Sequence, residues 1–348
     1  MISFRELLRT DLPIIQAPMA GVQGSALAIA VSNAGGLGSL PCAMLTPGRM
    51  RAEIMAIRAA TGNPFNLNFF CHTPPEPDAA REARWRAALA GYYEEFGVDP
   101  AGISAGSARA PFTAEAADLL EEFKPSAVSF HFGLPAHALL ARVKSLGCTT
   151  LGCATTVDEA LWLEARGADA VIAQGSEAGG HRGMFLTEDI ATQVGTLALV
   201  PQIARAVKIP VIAAGGIADA RGVAAALSLG AVAVQVGTAY LLCPECATSR
   251  VHRAALRSES ARHTVMTRLF SGRPARGIVN RLIADLGPLN DIAPAFPLAA
   301  SALAPLRAKA ESLGDGGFSP LWCGQNATGC AEISSAELTR ALARSFRQ

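Results

Sequence analysis

The feature that most constrains the fold is a repeated pair of patterns. A short apolar run typical of a β-strand ends in a polar or glycine-rich loop, and an Ala- and Leu-rich stretch typical of a helix follows. Eight such runs predict strands at residues 13–19, 37–40, 65–70, 127–132, 149–153, 170–174, 210–214 and 232–236. Runs that are apolar on both faces are typical of a parallel sheet covered by helices. Eight units in one chain predict an α/β fold, a closed (β/α)8 TIM barrel, with an open doubly wound sheet as the alternative.

Two regions depart from this repeat. Residues 72 to about 109, after the third strand, form a long polar stretch with helical character over 79–96, which predicts an excursion over the barrel mouth. From residue 257 to 348 the strand pattern stops and helical patterns are interrupted by Pro and Gly. We therefore predict a barrel over residues 1–256, excursion included. Residues 257–348 are predicted to form a mostly helical C-terminal extension packing over the active-site end.

Composition excludes several classes of partner. The formal net charge is +1 and the basic residues are spread along the chain, which argues against nucleic-acid binding. Residues 223–243 carry no charge, but Gly230 and Gly237 divide them, so they predict a buried helix and strand rather than a membrane span. Residues 1–6 contain no apolar signal core, which predicts a cytoplasmic protein.

The eight cysteines do not form a metal-binding pattern. Cys243 and Cys246 are a single pair with no second pair at zinc spacing. We expect no metal site, and we expect most of these thiols to be small buried hydrophobic groups.

The ends of the first, third and fourth strands contain candidate site residues, because the loops at the carboxyl ends of barrel strands converge on the active site. Ala17, Pro18 and Met19 would let the backbone approach a flat ligand, although a tight turn alone would explain them. The Asn68 amide can pair with the polar edge of a heterocycle, and a purely structural amide is the alternative. His131 is either a core histidine or part of the site.

The loop after the sixth strand is the most informative. Between Gln174 and Gly183 it contains several small residues, including Gly179 and Gly180, so the backbone can lie against a ligand with His181 facing it. Histidine changes protonation near neutral pH, which suits acid–base catalysis or the binding of an anionic substrate. Glu177 and His181 lack a third ligand for a metal.

The last two strands both end in glycine corners. Gly215 and Gly216 follow the seventh strand, and Gln235, Gly237 and Thr238 end the eighth. Glycine turns at these two strands form the usual phosphate site of barrels, where backbone N–H groups bind the anion. Plain turns are the alternative.

These residues together resemble the nitronate monooxygenases, formerly called 2-nitropropane dioxygenases, and in particular the class I bacterial type. The resemblance runs from the first strand to the segment around Trp322. The matching segments are Gln16-Ala-Pro-Met19, Ser32-Asn-Ala-Gly-Gly36, the His131 strand end, the 174–181 loop, Ala214-Gly-Gly216, and Gln235-Val-Gly-Thr238.

The resemblance implies FMN, bound without a covalent link, and a small anionic substrate that is oxidised with O₂. By position, the flavin ring should contact Ala17, Pro18, Met19, Asn68 and Gln174, with Gly179 and Gly180 lining the ligand. The phosphate should lie at Gly215, Gly216, Gly237 and Thr238, and Gln235 and Gln325 would be further cofactor contacts. His181 corresponds to the catalytic histidine and His131 should lie on the substrate side. The implied reaction converts alkyl nitronates, such as propionate 3-nitronate, to carbonyl compounds and nitrite.

The residues leave other functions open. The same barrel could serve an FMN-dependent NAD(P)H:quinone reductase or an enoyl-thioester reductase. The glycine corners alone would also suit a flavin-free barrel that binds a phosphorylated metabolite, and a non-catalytic flavin-binding protein is a third alternative. The sequence does not decide whether a protonated His181 binds the nitronate or a neutral His181 removes a proton from a nitroalkane.

Overall fold

A computed structural model describes residues 2–103 and 109–346 of the chain, and its strands alternate with helices over most of that length. The strands are β1 Ile14–Gln16, β2 Gly38–Pro41, β3 Phe65–Phe70, β4 Ala127–His131, β5 Thr149–Ala154, β6 Ala170–Gln174, β7 Gly180–His181, β8 Val211–Ala214, β9 Ala233–Val236, β10 Thr264–Thr267 and β11 Ala275–Ile278. The helices are α1 Phe4–Leu8, α2 Ser25–Asn33, α3 Pro47–Ala60, α4 Ala79–Phe96, α5 Ala114–Phe123, α6 His137–Ser145, α7 Val157–Ala165, α8 Thr196–Ala206, α9 Ala220–Ser228, α10 Arg250–Leu256, α11 Arg281–Leu286, α12 Ala299–Ser312 and α13 Ser335–Leu342. Short 3-10 helices lie at Pro100–Gly102, Ile190–Thr192, Thr238–Leu242, Glu259–Arg262 and Arg344–Phe346.

Eight strands form one parallel sheet in the order β1-β9-β8-β6-β5-β4-β3-β2. A parallel bridge between Ile15 and Leu37 joins the two end strands and closes the sheet. The prediction of a (β/α)8 barrel is therefore confirmed, and each predicted strand corresponds to one strand of this barrel.

The first predicted strand was too long at its carboxyl end. Only Ile14–Gln16 is strand, because Pro18 has no N–H to donate and the Met19 N–H donates to the Gln23 side-chain oxygen at 2.8 Å. The chain thus leaves the sheet at Ala17 and forms a loop at the barrel mouth. The fourth strand likewise ends at His131, since Phe132 adopts a left-handed conformation with φ 69°.

The barrel interior is apolar at the amino ends of the strands. Inward side chains such as Ile15, Leu151 and Ile212 are buried there, and helix α1 covers this end with Phe4 and Leu8. An apolar plug at one end leaves the opposite end, at the carboxyl ends of the strands, as the open one.

Residues 223–243 form a helix and then a strand, as predicted. Asp219 caps helix α9 by accepting the Gly222 N–H at 2.9 Å. Helix α9 is followed by β9 and a 3-10 turn. Within residues 2–103 and 109–346, no helix combines the length and the apolar character that a membrane crossing requires.

The excursion and the C-terminal extension pack against each other. Helix α4 of the excursion lies on helix α12, where the Trp85 indole donates to the Ala299 carbonyl at 3.1 Å and the Tyr93 hydroxyl to the Ala302 carbonyl at 2.7 Å. Their apolar side chains share a separate core with Phe318. We call this unit the lobe, defined by residues 79–96 and 264–322. Residues 104–108 of the predicted excursion and 347–348 of the predicted extension lie outside the described residues.

The extension also contains two strands that the sequence did not predict. Strands β10 and β11 pair antiparallel, and β11 pairs with β7, the two-residue strand in the loop after β6. The reading of residues 257–348 as helical with interruptions therefore missed a small sheet, which joins the extension to the barrel mouth.

Candidate active site

A cavity opens at the carboxyl ends of the barrel strands and contains nearly all the predicted site residues. The predicted residues that line it are Ala17, Pro18, Met19, Asn68, His131, Gln174, Gly179, Gly180, His181, Gly215, Gly216, Gln235, Gly237 and Thr238. Residues that are far apart in the sequence thus share one cavity.

Gln325 lies outside this cavity. Its side chain is exposed and borders a separate depression beside Arg262 and His263, while its backbone N–H donates to the Glu177 carbonyl at 2.9 Å. The flanking residues Gly324 and Asn326 line the cavity instead, because this backbone bond turns the residue between them outward.

Two glutamines hold the loop after β1. Gln16 is fully buried, and its amide nitrogen donates to the Gln23 oxygen at 2.8 Å and to the Ala17 carbonyl. Gln23 in turn accepts the Met19 N–H and donates to the Ser39 carbonyl at 2.5 Å. These bonds fix the Ala17–Met19 backbone against the cavity.

Two buried arginines hold the loop after β6. The Arg182 guanidinium, with no exposed surface, donates to the Gly175 carbonyl at 2.7 Å, the Gln174 carbonyl at 2.5 Å and the Gln193 oxygen at 2.8 Å. Arg276 donates from β11 to the Ser176 carbonyl at 2.8 Å. A charged donor satisfies carbonyls that the turn cannot pair, so the loop is rigid as well as small.

The Gln174 amide also serves this loop. Its nitrogen donates to the His181 carbonyl at 3.0 Å and its oxygen accepts the Gly183 N–H at 2.7 Å. Glu177 caps helix α8, where its carboxylate accepts the Thr196 N–H at 2.8 Å. Since this carboxylate is already bonded, it is not directed toward His181 as a metal ligand.

The glycine corners after β8 and β9 offer backbone donors. Gly215 and Gly216 have φ values of 115° and 71°, a conformation that other residues rarely adopt. Among the described residues, no backbone partner is found for the N–H groups of Gly216 and Thr238. The Thr238 hydroxyl oxygen accepts the Gly324 N–H at 2.9 Å, so its proton can be donated to a ligand. Together these groups form an anion-binding pattern.

Two amides lie on the barrel side of the cavity. The Asn68 nitrogen donates to the Ser129 hydroxyl at 2.9 Å. The Gln235 side-chain oxygen is buried and makes no hydrogen bond within the described part of the chain. A buried acceptor without a donor costs free energy, so a ligand N–H or O–H would stabilise this position.

His181 lies on β7 and packs against three aromatic side chains, which we call the aromatic roof: Phe132, Phe296 and Trp322. Its Nε2 lies 2.8 Å from the Ser271 hydroxyl oxygen, in the turn before β11. Ring centroids of Phe296 and Trp322 lie 5.4 and 5.5 Å from its own, and Phe132 lies 6.0 Å away. The histidine is therefore held by the lobe as well as by the barrel loop.

Burial and neighbouring cations keep this histidine neutral. Desolvation lowers the pKa of His181 well below its ordinary value, and the positive charges of Arg109 and Arg273 lower it further. Burial also lowers the pKa of His131 to about 3. Arg109 lines the cavity, so the site combines two uncharged imidazoles with a fixed positive charge.

The sequence did not single out Ser271, Phe296 or Arg109 as site residues. Ser271 and Phe296 lie in the extension and Arg109 at the end of the excursion, regions without the strand-and-helix repeat that locates barrel strand ends. The only signal was Ser271-Gly-Arg-Pro, whose Gly-x-Pro composition is typical of a turn.

The fold and site define a (β/α)8-barrel enzyme whose histidine-lined cavity occupies the usual catalytic end. The family model described as nitronate monooxygenase matches residues 3–344. A nitronate monooxygenase of Pseudomonas aeruginosa is 44% identical over 347 residues, 99% of each chain. One of Paraburkholderia phytofirmans is 45% identical over 98% of this chain and 94% of that protein. The crystal structure of a nitroalkane oxidase from Streptomyces ansochromogenes matches with a TM-score of 0.89 and 40% identity, over 99% of this chain and 97% of that one.

The chain belongs to the nitronate monooxygenase family, a family of oxidoreductases.

Proposed function

We propose that this protein is an FMN-dependent nitronate monooxygenase that oxidises alkyl nitronates with O₂ to carbonyl compounds and nitrite. One observation carries the proposal: the glycine corners after β8 and β9 and the imidazole of His181 line the same cavity. A ligand with a phosphate at one end and a reactive ring at the other would engage both. The family relatives, matched over nearly the whole chain, favour the same reaction.

The residues fit FMN. The N–H groups of Gly216 and Thr238, with the Thr238 hydroxyl, would hold the phosphate. The unpartnered Gln235 oxygen would accept a hydrogen bond from the ligand. A Cβ at Gly237 would lie 3.3 Å from the Ala17 Cβ, so glycine there keeps two neighbouring loops close together. The fixed Ala17–Met19 backbone would lie along the flat ring.

When bound, FMN would supply the electron acceptor, and the chain would supply orientation and electrostatics. A nitronate is an anion, and the charge of Arg109 would attract it into the cavity. The aromatic roof of Phe132, Phe296 and Trp322 would exclude water above His181. The neutral imidazole would accept a proton from the α-carbon of a neutral nitroalkane.

The test is a comparison of electron donors on the purified protein reconstituted with FMN. We expect a flavin absorbance band and rapid O₂ consumption with propionate 3-nitronate, with nitrite as product, and no bleaching by NADH in the absence of air. Bleaching by NADH without nitronate turnover would instead identify a quinone or enoyl-thioester reductase. Failure to retain any flavin would favour the phosphometabolite-binding alternative.

A further inference from the structure

We propose that Ser271 is a positioning residue that holds His181 in a single tautomer, with the proton on Nε2 and an unprotonated Nδ1 facing the cavity. The proton placement stands on geometry alone, whereas the use of Nδ1 as a base rests on the proposed function.

The contact between Ser271 and His181 is short and buried. The Ser271 hydroxyl oxygen lies 2.8 Å from Nε2 of His181, and Ser271 is 1% exposed. No hydrogen bond to Nδ1 is found among residues 2–103 and 109–346. Nδ1 is also not a fully buried atom, so it is accessible from the cavity. Since the ring lines the cavity, Nδ1 is the nitrogen that a ligand can reach.

The remaining contacts of Ser271 assign its single proton. Its hydroxyl donates to the Arg273 carbonyl at 3.3 Å, and its oxygen is 3.5 Å from the Arg273 N–H. A hydroxyl that donates to this carbonyl offers only lone pairs to Nε2, and on this basis we place the proton of His181 on Nε2. Neutral imidazole has one N–H, and Nδ1 is then the acceptor.

The turn that carries Ser271 is held in place. Gly272 has φ 89°, and a Cβ there would lie 2.1 Å from the Pro294 carbonyl oxygen. The backbone of the lobe thus closes over this turn and fixes Ser271 relative to β7. Because the serine cannot follow the ring, the hydrogen bond sets the direction in which Nδ1 points.

The charges around the ring keep it available as a base. The positive charges of Arg109 and Arg273 oppose a positive charge on His181. A neutral nitroalkane could therefore lose its α-proton to Nδ1: the C–H bond breaks, an N–H bond forms, and the electron pair moves onto the nitro group. The product is the nitronate, which the proposed reaction consumes.

Nitrogen-15 NMR of histidine-labelled protein tests the tautomer directly. We expect the His181 signals, assigned by their loss in His181→Asn, to show a protonated Nε2 and an unprotonated Nδ1. Ser271→Ala should produce a mixture of the two tautomers, and Ser271→Thr should restore the single one. A wild-type signal with the proton on Nδ1, or an unchanged signal in Ser271→Ala, would overturn the proposal.

Kinetics provide the second arm. Ser271→Ala should lower kcat for neutral nitroethane about 10- to 100-fold relative to preformed ethylnitronate, with flavin content unchanged and recovery in Ser271→Thr. Ser312→Ala is the matched control, because among the described residues the Ser312 hydroxyl bonds only the Lys309 carbonyl, on the lobe surface. An equal loss on both substrates would show a merely structural role. If the wild type oxidises neither substrate, the proposed function fails, while the NMR result still decides the tautomer.

Discussion

At the scale of single residues, the environment of His181 matters as much as its identity. An exposed histidine is partly protonated near neutral pH, whereas this one is surrounded by aromatic rings and by the charges of Arg109 and Arg273. The sequence left open whether the histidine is cationic or neutral in the site. The structure favours the neutral form. Under the proposed function, the guanidinium of Arg109, which lines the cavity, would attract the anionic substrate.

Replacement of His181 by Asn should separate catalysis from cofactor binding. We expect turnover of neutral nitroalkanes to fall about 100- to 10,000-fold, the usual contribution of a general base, while flavin content stays the same. The reason is that the proposed phosphate contacts lie at Gly216 and Thr238 and do not involve the imidazole. Oxygen-consumption rates and the flavin absorbance ratio measure the two effects, and unchanged turnover would indicate a non-catalytic flavin-binding protein.

The lowered pKa of His181 predicts an unusual pH profile. A base must be unprotonated, so activity on a neutral nitroalkane should stay level as the pH falls through 6.5, the ordinary histidine pKa, and decline only at lower pH. Among the neighbouring charges, Arg109 lowers the pKa of His181 most. Arg109→Met should therefore raise this pKa and move the decline in activity to higher pH. Values of kcat/KM from pH 5 to 9 for the wild type and Arg109→Met measure this shift in the pH profile. A decline centred at 6.5 in the wild type would contradict the prediction.

At the scale of elements, the loop after β6 is bonded to itself and meets two other parts of the chain. Arg182 ties it to itself, Arg276 ties it to β11, and Gly179 lies against the segment around Gly324. The sequence identified this loop through its small residues, but it interpreted them as space for a ligand. Gly179 in fact also makes space for another segment of the protein.

Gly179→Ala tests this packing. A Cβ at residue 179 would lie 2.5 Å from the Gly324 nitrogen, so the segment that bonds Thr238 must move away. We expect weaker FMN binding and a lower melting temperature. Gly91→Ala is the control: Gly91 lies in helix α4 with no atom within 4 Å of its Cβ position, so alanine should raise stability slightly. Equal melting temperatures for the wild type and Gly179→Ala would refute the packing argument.

The barrel strands were predictable because each one is a local apolar run, and β3 and β6 match their predicted bounds. Strands β10 and β11 were not, since Thr264–Thr267 is partly exposed and Ala275–Ile278 contains a glycine and a buried arginine. Their partner β7 has only two residues and lies about a hundred positions earlier. Short strands stabilised by distant pairing leave no periodic pattern in the sequence. The contact between His181 and Ser271, which depends on these strands, was therefore not predictable either.

At the scale of the whole molecule, buried neutral histidines join the barrel to the lobe. His252 on α10 bonds the Trp322 carbonyl at 3.0 Å, and His72 packs on Phe296 at 4.9 Å between ring centroids. Burial lowers the pKa of each to about 4. In acid, the folded environment opposes protonation of both imidazoles, whereas the unfolded chain allows it.

Acid should therefore destabilise the protein below pH 6.5. Between pH 6.5 and about 4 the unfolded chain binds more protons than the folded one at His72 and His252, so the free energy of unfolding falls with pH, by about 1.4 kcal/mol per unit for each fully titrating histidine. Urea unfolding at pH 7, 6 and 5 measures this slope. His72→Leu should reduce it, whereas replacement of the exposed His137 by Gln should not. Identical slopes in all three proteins would refute the assignment.

The shared sheet of β7, β10 and β11 also bears on how such a protein can diversify. The barrel strand ends form one side of the cavity, while Phe296 and Trp322 of the lobe cover the opposite side, above His181. Mutations in the lobe can reshape the space above the histidine without touching the glycine corners. Evolution can thus change which small molecules are admitted while the glycine corners are inherited unchanged.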